Sequence, residues 1–248
     1  MRLNLRQGHR VRVIPMTYEK RFDGRAFDEM RPIEAKAGII KRAHGSGWFK
    51  IGNTEAYAAV YGPREMFPRF MQNPKKGVLR VHYNMMPFSS AGDRVRPGPS
   101  RRSKEISHVT QKALLPVVDL GEFSNAVVDV FIELPQTDAG TRCAGICAAS
   151  IALADAGIPM KDMVCAISAG RVDDKMLVDL NYEEDSHENG VDIPIAMLHN
   201  SKKISLIQMD GELSSDDLKK AVEMVKKACD EIFEVQKQAL KKKFEIGN

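Results

Sequence analysis

The sequence predicts an α+β fold of mixed or antiparallel sheets packed with helices, in which a strands-then-helix unit occurs twice. Three observations carry this. Short apolar, β-branched runs alternate with Gly, Asn and Pro turn chemistry. Helical apolar spacing follows such runs twice, ending near Asp119 and near Asn248. Between the two units a strand feeds a helix of small residues beginning near Cys143.

In chain order, residues 1–24 are basic, polar and without period. That predicts a mobile arm or an extended segment laid over a neighbour, with an arm over 1–20 and a single domain over 21–248. Gly38–Ala43, Trp48–Ile51 and Glu55–Tyr61 are strand-length runs separated by His44-Gly-Ser-Gly47 and Gly52-Asn-Thr54, an antiparallel meander. Arg64–Lys76 has two prolines and four cations and predicts a loop. Val78–Met85 alternates as a strand. Pro87–Pro99 predicts a second loop, which delivers the chain to Arg101 and a helix with Ile106, Val109, Ala113, Leu114 and Val117 on its core face. Ala126–Leu134 is β-branched and leads into Gln136-Thr-Asp-Ala-Gly140; the next helix stops at Asp155-Ala-Gly-Ile-Pro159. The core of the domain thus covers about 38–156, and a C-terminal part about 157–243. In that part Val164–Gly170 and Met176–Leu180 predict a hairpin, and Ile193–Met197 and Ile204–Met209 two further strands. A long helix capped by Ser214 or Ser215 closes the chain.

Two helix starts carry cations where the helix dipole disfavours them. Gly140 permits a tight turn, Thr141 can cap, and Arg142 sits in a first turn where a cation opposes the dipole unless an anion lies between them. Ser100-Arg-Arg-Ser-Lys104 repeats the anomaly with Arg101 and Arg102. Two such ends converging on phosphate groups explain both; the alternative is that these arginines pair with surface carboxylates.

Charge is distributed in the same sense. The net charge is +4, yet Arg64–Lys112 holds 11 Lys/Arg against 3 Asp/Glu. Between Asp173 and Asp192 eight acids face Lys175 alone. A phosphate-rich polymer on one side and acid or metal chemistry on the other fit this division; the alternative is two solvated faces. Asp185 and Asp192 flank a short connection and can face one pocket. There they serve either as proton donor and support or as ligands of a divalent metal. Asp179 is expected in a strand pointing to the same side, and Glu183 and Glu184 in solvent. His108 and His187 are the lesser acid candidates. Four cysteines without scaffold or zinc spacing are expected as reduced core residues. No apolar run spans a bilayer and the N-terminus lacks a signal-peptide core, so a cytoplasmic chain without membrane partners is expected.

Asp138-Ala-Gly-Thr-Arg142, Arg101-Arg102, Leu180-Asn-Tyr-Glu-Glu-Asp185 with Asp192, and Phe22-Asp-Gly-Arg25 together resemble the ribonuclease PH family, within it the catalytic ring subunits of archaeal exosomes. The resemblance runs from about Arg21 to Leu240 and includes Gly52-Asn-Thr54, Val60-Tyr-Gly-Pro63 and Ala154-Asp-Ala-Gly-Ile-Pro159. It implies a ribonuclease PH fold and a 3′→5′ exoribonuclease that works by phosphorolysis, inorganic phosphate attacking the last phosphodiester to release a nucleoside diphosphate. By the same resemblance Gly140, Thr141 and Arg142 bind phosphate, while Arg101 and Arg102 hold the RNA backbone. Asp185 is the general acid, and Asp192 supports it or shares Mg2+. Arg69 and Phe70 line a pore entrance, on phosphates and on a base. The implied partners are single-stranded RNA 3′ ends, a homologous inactive subunit in a trimer of heterodimers, and RNA-binding cap subunits. The rival readings are a stand-alone enzyme trimming transfer-RNA 3′ ends and a non-catalytic, RNA-threading subunit. Asp185 and Asp192 are seven apart, one more than the family spacing, an extra residue that a Gly-containing turn can absorb as a bulge.

Overall fold

The computed structural model describes residues 18–245 except Ala91 and Asp93. Most of the arm expected over 1–20 lies outside the described residues. The meander exists, with Trp48–Ile51 inside β2 (Gly45–Ile51) and Glu55–Tyr61 inside β3 (Thr54–Glu65), but its first strand is the earlier β1 (Ile33–Ala37); the three pair antiparallel in sequence order. Gly38–Ala43 is not a strand. Gly38 turns the chain at φ 71°, and the segment is the β1–β2 connection, with the Ile40 N–H bonded to Ser46 Oγ. The charged alternation of Ile-Glu-Ala-Lys-Ala concealed β1.

After a single 3-10 turn at Arg69–Met71, β4 (Val78–Met85), α1 (Arg101–Leu114) and β5 (Ala126–Gln136) form a parallel crossover. The five-stranded sheet has the order β1-β2-β3-β5-β4. β6 (Val164–Val172), β7 (Lys175–Val178), β8 (Gly190–Leu198) and β9 (Ile204–Ile207) make an antiparallel sheet of order β7-β6-β8-β9. A four-residue helix, α3 (Tyr182–Asp185), joins β7 to β8, and α4 (Ser215–Glu245) closes the fold, its Asp217 N–H donating to Ser214 Oγ. Strands followed by a helix thus recur, β1–β4 with α1 and β6–β9 with α4.

Helix α2 (Thr141–Asp155) lies between the halves and packs on strands of both sheets. Its small residues follow from that position, since nearly every side chain from Cys143 to Leu153 is buried. β2 also approaches closely: a Cβ at Gly47 would stand 2.4 Å from the Ala148 carbonyl oxygen. The four cysteines are free and buried, as expected of core residues. Among the described residues no helix is long and apolar enough to cross a membrane.

Candidate active site

Strand β5 ends at Gln136 and the chain turns through Asp138-Ala139-Gly140 into α2. Ala139 and Gly140 both take left-handed backbone, φ 52° and 61°. The turn is pinned from several sides. Thr54 Oγ1, fully buried at the β2–β3 turn, accepts from the Asp138 N–H at 2.8 Å and donates to the Ala139 carbonyl at 2.8 Å. Asn53 Nδ2 donates to Asp138 Oδ2 at 3.2 Å, and Arg31 Nη1 to the Asp138 carbonyl at 2.5 Å. Asp138 Oδ1 in turn accepts the Tyr182 N–H at 2.9 Å, tying the turn to α3.

The cap differs from expectation. Gly140, not Thr141, is the N-cap residue of α2, and no side chain caps the helix; Thr141 is its first residue. The first-turn N–H groups are left without a side-chain acceptor, the arrangement that suits an anion. Helix α1 is the opposite case. Ser100 and Ser103 form a complete capping box, so its N-terminus is already satisfied. Only one of the two helix starts is therefore open, and α1 contributes a side chain instead.

Gly140, Thr141, Arg142, Arg102, Asp185 and Asp192 line one pocket of about 90 Å³, with Ser168 and Asp210. At about 30 Å³ per water this is room for a few waters or one small oxyanion. It adjoins a groove of about 1050 Å³ that shares Arg102, Thr141 and Asp185 and extends past Phe88, Asn53 and Tyr182. Arg142 Nη1 donates to Gln208 Oε1 at 2.7 Å rather than to a carboxylate. Arg101, Arg69 and Phe70 line neither space. Arg69 lies 4.0 Å from Glu65, and Phe70 is 87% exposed.

Asp192 follows Val191 in β8, opposite Gly170 of β6, and exchanges backbone hydrogen bonds with Asp210 at 3.2 and 2.9 Å. Its Oδ1 is buried and has no hydrogen-bond partner. Burial first, then the charge of Asp185, pushes its carboxyl from the ordinary 3.8 up to about 6, against the pull of Arg142 and the Ser168 hydroxyl. Asp185 is also raised, by loss of water in the cleft, while Arg102 and Arg142 oppose the rise. No bulge lies between the aspartates within β8, because the β6–β8 register is unbroken from Gly190 onward.

Two acids stand elsewhere than expected. Asp179 is not in a strand: it has φ 56° and holds Arg31, its Oδ1 at 2.6 Å from Nη2 and its Oδ2 at 2.8 Å from Nε. Glu184, expected in solvent, is fully buried against Arg21 and Tyr18. Gln208, Asp210 and Ser168 were not foreseen as site residues. Gln208 and Asp210 come from just beyond the edge strand β9, where a polar sequence carries no site signal.

Comparison with known proteins agrees with this architecture. The 3′ exoribonuclease family matches through its domain 1 over residues 29–159 and its domain 2 over residues 162–228. Exosome complex component Rrp41 of Methanopyrus kandleri is 48% identical over 224 residues, 90% of this chain and 93% of the relative. The protein of the same name from Nitrosopumilus maritimus is 48% identical over 229 residues, 92% of this chain and 93% of its own. Among solved structures, rice Rrp46 superposes with a TM-score of 0.80 at 25% identity, covering 89% of this chain and all of that one. The Archaeoglobus fulgidus exosome with RNA bound to the active site superposes with a TM-score of 0.74 at 25% identity, over 87% of this chain and 92% of that one. With both family domains in order along one chain, around a site built from the two, this protein belongs to the RNase PH family of 3′ exoribonucleases.

Proposed function

We propose that the chain shortens RNA from its 3′ end by phosphorolysis, as the catalytic subunit of an exosome ring. The observation that carries this is the single pocket in which an uncapped helix N-terminus and two arginines face two carboxyl groups of raised proton affinity. Inorganic phosphate sits at the Gly140–Thr141 N–H groups and Arg142, and the RNA backbone runs along the adjoining groove past Arg102, with Arg101 on an outer phosphate. A phosphate oxygen attacks the terminal phosphorus in line. The bond to the 3′ oxygen of the penultimate nucleotide breaks, and Asp185 gives that oxygen its proton. A nucleoside diphosphate and an RNA one nucleotide shorter result. The cations bring one anion to another and hold the charge that builds up between them.

Mg2+ fits the donor set in one way. Among the described residues no group of three His, Cys, Asp or Glu can hold a metal, but Asp192 Oδ1 is free of hydrogen bonds and lies beside Asp185. Two carboxylates with water and substrate phosphate oxygens are a usual magnesium shell. As the alternative to proton donation by Asp185, the ionised Asp185 and Asp192 would hold the ion, which would neutralise phosphate charge.

The ring reading rests on the relatives' names, exosome complex components, and on the exosome structure solved with RNA. It includes an inactive homologous subunit alternating with this one in a trimer of heterodimers, and RNA-binding cap subunits. Phe67, Phe70 and Met71, all exposed between β3 and β4 beside Arg69, suit a pore or subunit contact. Four buried free thiols suit a reducing cytoplasm.

The test is labelled single-stranded RNA with the assembled protein and Mg2+, with and without inorganic phosphate. Phosphate-dependent release of nucleoside diphosphates, lost in Asp185→Asn and Arg142→Ala, is expected. Release of monophosphates without phosphate would make the chain a hydrolase and end the roles given to Thr141 and Arg142.

A further inference from the structure

Helix α3 has four residues, too few to hold a helical shape alone, and it carries Asp185 at its last position. What fixes it is the side chain one place earlier. Glu184 closes a capping box with Asn181, each donating a backbone N–H to the other's side chain at 2.9 and 3.0 Å. Its two oxygens also accept Arg21 Nε and Nη2, both at 2.8 Å, and Oε1 accepts the Tyr18 hydroxyl at 2.6 Å. Arg21 is 2% exposed and continues outward from this pair. It donates to the carbonyls of Val178 at 2.9 Å and Asp179 at 2.7 Å, the residues that lead from β7 into α3. A further bond to the Glu29 carbonyl at 3.0 Å folds its own segment back onto the cluster. Both Tyr18 and Arg21 precede residue 29, where the family match begins.

We propose that Tyr18, Arg21 and Glu184 are positioning residues for Asp185, so that the segment ahead of the family domain sets where the proton donor stands. The proposal rests on the reading of Asp185 as general acid. Arg21 acts on both ends of α3 at once, through the carbonyls before it and the carboxylate inside it. A lysine keeps the charge but lacks the planar fork that reaches both. Loosening α3 moves Asp185 away from Arg102 and Thr141, with which it shares the pocket, and gives it more water.

The experiment uses the full chain in the assembly in which it degrades RNA, with Arg21→Lys, Glu184→Gln and Tyr18→Phe compared to Asp185→Asn. A displacement of about 1 Å costs on the order of 100-fold in a positioned reaction. The expected result is therefore a kcat about 10- to 100-fold lower in Arg21→Lys and Glu184→Gln, and about 3- to 10-fold lower in Tyr18→Phe. KM for RNA and phosphate should stay within about twofold. A kcat within about twofold of the parent in all three, or a loss carried mainly by KM for RNA or phosphate, overturns the positioning role. Should the two buried-charge variants fail to fold, Tyr18→Phe decides alone, since it removes one hydroxyl and leaves the ion pair. If Asp185→Asn itself keeps its kcat, the general-acid reading falls; if Asp185→Asn is inactive while the three variants are not, only the positioning proposal falls.

Discussion

Replacing Asp192 by Asn should make the protein more stable while lowering its activity, and the size of the gain depends on pH. In the fold this carboxyl rises from 3.8 to about 6, burial being the main cause and Asp185 the second. A raised carboxyl binds its proton more tightly folded than unfolded. Its effect on stability is therefore neutral below about pH 4, turns unfavourable between about pH 4 and pH 6, and is fully unfavourable above that. About two pH units at about 1.4 kcal/mol each give about 3 kcal/mol lost above pH 7. Asparagine has the shape of the neutral acid and no charge to bury, so it recovers most of that. In a chain of 248 residues each kcal/mol moves Tm by about 2–4 °C, so Tm should rise by about 6–12 °C at pH 7.5. Thermal unfolding followed by circular dichroism at pH 7.5 and pH 4.5 tests this, the gain shrinking to about a third at the lower pH. A variant no more stable than the parent at pH 7.5, or equally stabilised at both, would refute the claim that the site holds a strained carboxylate. Phosphorolysis measured on the same samples should fall.

Two further predictions come from the anion side. Arg142→Ala should lower phosphate-dependent turnover by about 100-fold or more, in the range of losing one preorganised charge ligand, whereas Gln208→Ala frees the Arg142 guanidinium and should cost about 3- to 10-fold, mostly in KM for phosphate; initial rates against phosphate concentration separate them. Thr54→Val leaves the Asp138 N–H and the Ala139 carbonyl without their buried partner and should destabilise by about 2–4 kcal/mol in urea unfolding.

How much of this was legible in the sequence depends on how local each signal is. The start of α2 could be read because Gly140, Arg142 and the small residues after them lie within one short stretch, and because a first-turn cation is an anomaly wherever it occurs. That Thr141 does not cap could not, since it follows from the left-handed pair Ala139–Gly140, and alanine gives no hint of such backbone. At the start of α1 the same cation signal misleads, because Ser100 and Ser103 cap the helix and leave no open end for an anion. Glu184 looked like one of two equivalent surface acids. What separates it from the exposed Glu183 is Arg21, 163 residues away. Asp179 was misplaced for the same reason, its partner Arg31 being 148 residues distant. Strand order was harder still, because the insertion of β5 between β3 and β4 is a property of the whole sheet.

Helix α2 erases the usual division between residues that fold a protein and residues that act in it. The proposed anion seat belongs to its first turn and comes from the first family domain, while the carboxyl groups come from the second. The gap between them therefore depends on how the body of α2 rests on both sheets as well as on how α3 is held. A methyl group added where β2 touches the helix at Gly47 alters that gap as surely as a change in the pocket itself. Such a variant would look, by rate alone, like a lesion of the active site, although every residue in the pocket was intact.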